Sequence, residues 1–282
     1  MTSRIIFTTL ILSITKAYGQ WPGIDKPPIY EFTIRECFKN LKYSGKFFTD
    51  SLKPNNVLMG RRFWRTISLE NKQNQLLFSS GTDCSQIGFF EIIKFGLFEK
   101  KLNAFFSDDF NNVIKNRCNG EQLLKKITYK DSSEIVKFDA EGNEKKTIAV
   151  EKRYLLNKDI KTYLLKEDWI FNNYSGQLEK KIIAIAPLVF DEPRKKTVPL
   201  FWLYYDEWKE LFESFEAKNY YGEFLINFRD VLEKKYFVSV ISKESNVFDR
   251  PIKSYKGGND INMESELIKE KVLNSESDLF QY

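Results

Sequence analysis

The chain contains no histidine. That absence removes the commonest general base near neutral pH and the commonest metal ligand together. Serine or cysteine triads of the usual kind, zincin-type sites and most transition-metal centres therefore have no candidates. Any metal binding or proton transfer falls to carboxylates, lysine, tyrosine or cysteine. Cysteine is scarce as well: Cys37, Cys84 and Cys118 are too few for a disulfide scaffold and allow at most one intrachain bridge. Cys84 with Cys118 is the first pair to consider, and three small buried apolar residues is an equal alternative. No Walker loop, G-x-G-x-x-G or G-x-S-x-G is present, so nucleotide binding and nucleophile-elbow chemistry lack local support. No basic block reads as a nucleic-acid arm, and no repeat has a solenoid or propeller period.

Long apolar runs are missing too; nothing approaches the ~18 residues that span a bilayer. What is there at the start reads as a secretory leader. Arg4 supplies a positive end, Ile5 to Ile14 is apolar but for Thr8, Thr9 and Ser13, and Ala17-Tyr18-Gly19 offers small residues for cleavage between Gly19 and Gln20. Ten residues at about 1.5 Å each are too short for a membrane anchor. The first cysteine, Cys37, lies far from the cleavage point, so lipid attachment there is not expected and the chain should be released as a soluble protein. Loss of the first 19 of 282 residues leaves 263, enough for one large or two small domains. It also removes Arg4 and Lys16, lowering the formal charge from +5 to +3. The 25 Phe and 14 Tyr suit a chain rich in packed surfaces or large interfaces.

Residues 20–34, with Pro22, Gly23, Pro27 and Pro28, read as an extended N-terminal arm. Arg61 to Leu69 suits a short helix end or a strand. Ile87, Phe90, Ile93 and Leu97 fall at helical spacing, with Gly96 as a stop signal. Asn111 to Asn119 is rich in turn formers, and Asp131 to Lys146 reads as an excursion loop ending in a strand near Thr147 to Tyr154. Lys161 to Phe171 and Lys181 to Ala186 form a hairpin candidate around Asn172–Gly176, closed by Pro187. Val198 to Tyr205 is a further β-favouring run. Asp206 is expected to cap a helix carrying Trp208, Leu211, Phe212 and Phe215 on one face. A second helix fits Glu223 to Lys235, with Phe224, Leu225, Phe228, Val231 and Leu232 as its stripe. A strand fits Tyr236 to Ile241. A last helix fits Ile261 to Asn274, carrying Met263, Leu267, Ile268, Val272 and Leu273. The class is α+β: short antiparallel strands and hairpins with packed amphipathic helices, in one large or two small subdomains. A division into 35–135 and 136–282 falls in the polar zone, although a single domain with an insertion reads the same.

Glu167-Asp168, Asp191-Glu192 and Asp108-Asp109 are paired acids, but strand neighbours point to opposite faces, which suits neither an acid/base pair nor a metal site. Solvated surface charge is the expected role. Arg194-Lys195-Lys196 reads as a loop tip. Among the tryptophans, Trp208 and Trp202 fit the core, while Trp169, following two acids at a hairpin edge, is the interface candidate. The run Lys243 to Pro251 holds two expected ion pairs and the turn-former Ser245-Asn246. It reads either as a recognition loop joining adjacent copies or as a loop stapled by charge pairs worth about 0–1 kcal/mol each. The interface candidates are thus Trp169, Lys243, Glu244, Asn246, Asp249 and Arg250; no catalytic, cofactor or metal residue is assigned. A carboxylate-based hydrolase of envelope glycans, needing two acids roughly 5–9.5 Å apart, and a polysaccharide-binding module using exposed tryptophans are the alternative functions.

Lys166-Glu167-Asp168-Trp169, Ile182 to Pro187, Leu200 to Tyr205 and Lys243 to Arg250 stand in a fixed order near the C-terminus. Together with Gly257-Gly258-Asn259-Asp260, Met263-Glu264-Ser265-Glu266 and Asp278-Leu279-Phe280, they resemble the GldN/PorN family of periplasmic subunits of the type IX secretion and gliding machinery of Bacteroidota. Phe63 to Ile67 and Glu91 to Gly96 are similar to the family's N-terminal blocks, and Asp108 to Lys152 is dissimilar. Ala184 stands where the family usually has glycine, and Asn172 where it usually has an acid. The resemblance implies a non-enzymatic component without cofactor, acting in the periplasm on the inner side of the outer membrane. Its implied partners are an outer-membrane lipoprotein of the GldK/PorK type, the inner-membrane motor protein of the GldM/PorM type, and further copies of itself in a ring. Contact with the membrane would be indirect.

Overall fold

In the computed structural model, residues 57–77, 87–109, 113–138, 144–172, 176–217 and 226–279 are described. The leader with Gly19 and Gln20, the N-terminal arm, Trp21, Cys37, Cys84 and the turn at 173–175 lie outside them. Strand β1 (Val57–Ser68) settles the helix-or-strand alternative. Phe63, Arg65 and Ile67 are buried while Arg62 is exposed and Trp64 and Thr66 are half-buried, the period of two that a strand between two unlike environments requires. Helix α1 (Phe89–Phe98) follows the predicted spacing but is buried on every side, and Gly96 is inside it rather than at its stop. Its Lys94 is sunk in the interior, where it meets Glu91 at 2.7 Å and donates to the Leu155 carbonyl at 2.9 Å.

The short α2 (Val113–Asn116) leads to α3 (Gly120–Ile127), begun by a reciprocal cap between Asn119 and Gln122. The expected excursion loop is instead largely strand, with 139–143 outside the described residues. Strands β2 (Thr128–Phe138) and β3 (Glu144–Tyr154) pair without interruption from Thr128 opposite Tyr154 to Phe138 opposite Glu144. The register puts Asp131 opposite Glu151 and Lys137 opposite Lys145, a polar ladder whose composition hides its regularity.

Strands β4 (Thr162–Asn172) and β5 (Gln177–Asp191) form the predicted hairpin, but β5 does not end at Pro187. It pairs with β7 (Leu203–Tyr204) at Ala184 and Ile185 and with β6 (Lys196–Pro199) from Leu188 to Asp191, so the proline, which has no N–H, falls between the two ladders. The anticipated single run to Tyr205 is broken at Trp202, which exchanges backbone hydrogen bonds with Phe105 at 2.8 Å. In helix α4 (Tyr205–Glu213) the cap is Tyr204, not Asp206. Asp206 sits in the first turn, beside the positive end of the helix, and pairs with Lys209 at 3.0 Å. Trp208, Leu211, Phe212 and Phe215 are buried as the stripe requires.

After β8 (Glu216–Ala217) and β9 (Ile226–Asn227), helix α5 spans only Phe228–Glu233. Asn227 caps it by accepting from the Asp230 N–H at 2.7 Å, which fixes the start later than expected. Phe228, Val231 and Leu232 are buried; Phe224 and Leu225 lie outside the described residues. A turn with Lys235 at φ 57° delays the next strand, so β10 is Val240–Glu244 rather than 236–241. Helix α6 runs Asp260–Leu279, beyond the predicted end. Among its predicted stripe only Ile268 and Val272 are buried; Met263, Leu267 and Leu273 are exposed.

The class is α+β. The main antiparallel sheet has the order β10-β1-β4-β5-β6, with β7 also on β5. One face carries the large core formed with α1, α4 and α5, and beside it a smaller cluster of Phe63, Trp169, Ile241, Ile252, Ile268 and Val272 beneath α6. The other face holds Phe105, Ala184, Ala186 and Trp202, with Trp64 packed against them. Ser265, buried on α6, accepts the Ile241 N–H at 2.8 Å, so the helix blunts the outer edge of β10. No helix among the described residues is long and apolar enough to cross a membrane. Cys118 is a buried free thiol, its pKa pushed up to about 11 by burial.

Glu207 links α4 to the chain before α2, accepting from the Asn103 N–H at 2.8 Å and its Nδ2 at 2.7 Å. Burial raises its pKa, only partly opposed by those donors and Arg117. A carboxyl harder to ionise folded than unfolded makes the protein less stable as pH rises through that range. Glu207→Gln keeps the acceptor oxygen and removes the buried charge. Its melting temperature is expected to equal that of the parent below pH 4 and to match or exceed it at pH 7.

Candidate partner-binding edge

Strand β10 is the last strand of the sheet, and the chain leaves it through the run singled out by sequence. Its placement follows from register. Trp64 faces Lys243 on one side and Lys166 on the other, so both ammonium groups lie over the indole, at 4.4 and 5.4 Å from the ring centroid. The indole N–H donates to Asp108 Oδ2 at 2.8 Å, and Lys166 meets the same oxygen at 3.1 Å. Burial pushes the Asp108 carboxyl up, but the Trp64 N–H and the Lys166 charge outweigh it and the net shift is downward. One step along, Arg62 grips Asp168 with two bonds, at 2.6 and 2.7 Å, and that pairing raises the guanidinium's pKa.

The loop beyond is built on this base. Lys243 also pairs with Asp249 at 2.7 Å, and Glu244 with Arg61 at 3.0 Å. Ser245 is bound to Arg62 through its N–H at 2.8 Å and its hydroxyl at 3.3 Å. Asn246 closes the turn twice: its side chain accepts the Phe248 N–H and its carbonyl the Asp249 N–H, both at 3.0 Å. Asp249 takes a left-handed φ of 43°, a conformation that non-glycine residues hold only where surroundings impose it. Arg250 lies against Phe248 and Tyr255, 5.0 and 4.8 Å from their ring centroids. A bridge between Lys243 and Pro251 returns the chain to the strand. Of the two ion pairs expected within the run, Lys243–Asp249 forms, whereas Glu244 pairs with Arg61 outside it and Arg250 lies against two rings; the structure joins Lys243, Asn246, Asp249 and Arg250 in one fixed loop with Glu244 at its foot.

What the sequence did not mark is the tip itself. Val247 is 97% exposed and Phe248 72%, the reverse of what apolar side chains do unless something else covers them. A β-branched residue and an aromatic one inside a run of charges gave the only signal. Trp169 is the opposite case. It was expected at an open hairpin edge and is only 3% exposed, because odd-numbered residues of β4 point into the helix-covered face. There it packs edge-on against Phe63 at 5.0 Å and donates to Glu167 Oε2 at 2.8 Å, so it offers no ring surface to a partner.

Glu167 and Asp168 point to opposite faces, as strand geometry demands, but Glu167 is wholly buried rather than solvated. Asn172 donates to Glu179 at 2.6 Å; an acid in its place would set two carboxylates together. Trp169, Trp202 and Trp208 are buried and Trp64 is half-buried, which leaves no exposed pair of tryptophan rings for sugar stacking among the described residues. Asp108, Glu167 and Asp168 are each committed to a cation. No group of acidic or cysteine side chains among the described residues is placed to hold a metal ion.

A family model described as "Gliding motility associated protein GldN" matches residues 52–281, which include all of the described elements. No curated protein matches the chain.

Proposed function

The chain belongs to the GldN family of gliding motility associated proteins, a structural component of gliding and type IX secretion rather than an enzyme family, and from that membership we propose that it is a non-catalytic adaptor in the periplasmic ring of the secretion apparatus. On this reading it acts by holding others in place. A lipoprotein of the outer membrane anchors it, the periplasmic part of an inner-membrane motor protein engages it, and sister copies close a ring. The observation that carries the reading is the family match across the whole folded region, and the pinned, apolar-tipped loop at the β10 edge supports it. Closed rings need head-to-tail surfaces, and a fixed protruding loop is well suited to supply one side.

The test has two arms. Tagged chain extracted from membranes with mild detergent is expected to bring down an outer-membrane lipoprotein in comparable amount. Deletion of the gene is expected to empty the medium of the proteins secreted by this route, with restoration by the intact gene. Recovery of the chain alone together with an unchanged secreted set would reject the proposal.

A further inference from the structure

Among the apolar side chains left uncovered in the described residues, two groups match each other. The first is the tip of the loop after β10, Val247 and Phe248, held away from the body by Asn246, the Lys243–Asp249 pair and the Arg250 stack. The second is the outward face of α6. Met263, 65% exposed, and Leu267, 47% exposed, stand four residues apart and therefore side by side, opposite the face that buries Ser265, Ile268 and Val272. On one copy neither surface covers the other. The inward side of α6 is filled by the Phe63–Trp169 cluster, which includes Ile252, and the segment behind the loop meets the helix flank through Lys256 and Glu264 at 3.7 Å.

We propose that the Val247–Phe248 tip of one copy docks on the Met263–Leu267 face of α6 in a second copy. This rests on the self-assembly part of the function proposed above. Charge selects this occupant. The stretch behind the tip carries exposed Arg250, Lys253 and Lys256 against one acid, Asp249, which is paired with Lys243, whereas α6 carries Asp260, Glu264, Glu266 and Glu270 against Lys269 and Lys271. Opposed fields of this kind steer and orient association while apolar contact at the centre holds it. The turn is pre-formed, so little ordering is required on contact. A contact of this size is smaller than the roughly 1,600 Å² of a standard interface, so each is reversible and concentration-dependent.

Complementary variants of the purified chain test the contact by sedimentation velocity over a concentration series. Val247→Asp with Phe248→Asp spoils the tip, and Met263→Lys with Leu267→Lys spoils the helix face. Each alone is expected to weaken self-association by about tenfold or more. Mixed in equal amounts, they are expected to form a heterodimer, because the intact tip of one meets the intact helix of the other. The proposal is overturned if either variant associates like the parent, or if the mixture associates no better than its components. A parent chain that stays monomeric at every concentration overturns both this contact and the self-assembly it rests on; a parent that assembles while the variants are unaffected overturns the contact alone. The altered side chains are exposed, so unchanged melting curves verify the fold. Should the aspartate pair melt early, Val247→Ser with Phe248→Ser is measured in its place against the same outcomes.

Discussion

Replacing Gly96 by alanine is expected to destabilise the protein by about 1–3 kcal/mol, and by valine more, even though alanine is the better helix former. The two effects oppose each other. Alanine gains about 1 kcal/mol over glycine in a helix interior. Here, however, a Cβ on Gly96 would lie 2.4 Å from Trp208 Cζ3, 2.8 Å from its Cη2 and 2.7 Å from Leu211 Cδ2. Trp208 is fully buried, and its N–H donates to the Asn103 carbonyl at 3.0 Å, so the ring cannot swing aside without losing that bond. Steric conflict in a dense core outweighs propensity. For a domain of this size each kcal/mol lowers Tm by roughly 2–4 °C, which thermal unfolding followed by circular dichroism will read. Trp208→Phe is itself destabilising, but in its background Gly96→Ala should do less harm, because two of the three clashing atoms are gone and only Leu211 Cδ2 remains. Equal losses in both backgrounds would show that the ring is not the cause.

Gly96 also explains one way in which the fold was hard to read. A glycine near the end of a periodic run signals a stop, and nothing local distinguishes that from a glycine required by a neighbouring helix. The apolar spacing of α4 was legible because period and burial agree, and that of α1 because its large apolar residues recur at helical spacing although the helix is buried on every side. The β4–β5 hairpin was legible because β-favouring runs flank turn residues. The long β2–β3 ribbon was not, since its strands mix charged, hydroxyl and short apolar stretches without a clean alternation, and their regularity lies in backbone pairing. Caps were misplaced for a related reason. Asp206 has the right chemistry, but Tyr204 ends β7 and the helix begins directly from the strand, leaving no turn in which an aspartate could cap.

The candidate edge was half legible. Charged residues around Ser245-Asn246 signalled a stapled turn, and Lys243, Asp249 and Arg250 do hold it. Their roles depend on Trp64 and Asp108, far away in sequence, which only the sheet register brings beneath them. Met263 and Leu267 were grouped with Ile268 and Val272 because helical spacing gives a stripe but not its direction. On α6 the inward side is fixed by Ser265, which satisfies the edge of β10, and that rotates Met263 to the surface.

Removing the Glu167 side chain is expected to cost about 3–5 kcal/mol, the usual penalty for stripping one partner from a buried ionic group. The carboxylate is completely inaccessible; its Oε2 accepts from Trp169 Nε1 and from Lys235 Nζ, each at 2.8 Å, with Arg65 at 4.0 Å. Glu167→Ala would strand two cations and an indole N–H around a cavity. Lys235 is already the weak member: burial lowers its pKa, and the Glu167 charge only partly restores it. A folded pKa below the unfolded value means that the folded state resists protonation of Lys235. Its unfavourable contribution is therefore present at neutral pH and fades only as the solution becomes alkaline. Without Glu167 that contribution grows, so the gap between variant and parent, measured by urea unfolding, should narrow as pH is raised from 7 towards 10. Glu167→Leu combined with Lys235→Met removes both charges and fills the space, and should recover part of the loss. Recovery stays incomplete because Arg65 is buried beside them and keeps only its bond to Ser239 at 2.9 Å. A gap that is constant across that pH range would mean that the cavity, and not the stranded ammonium, sets the cost.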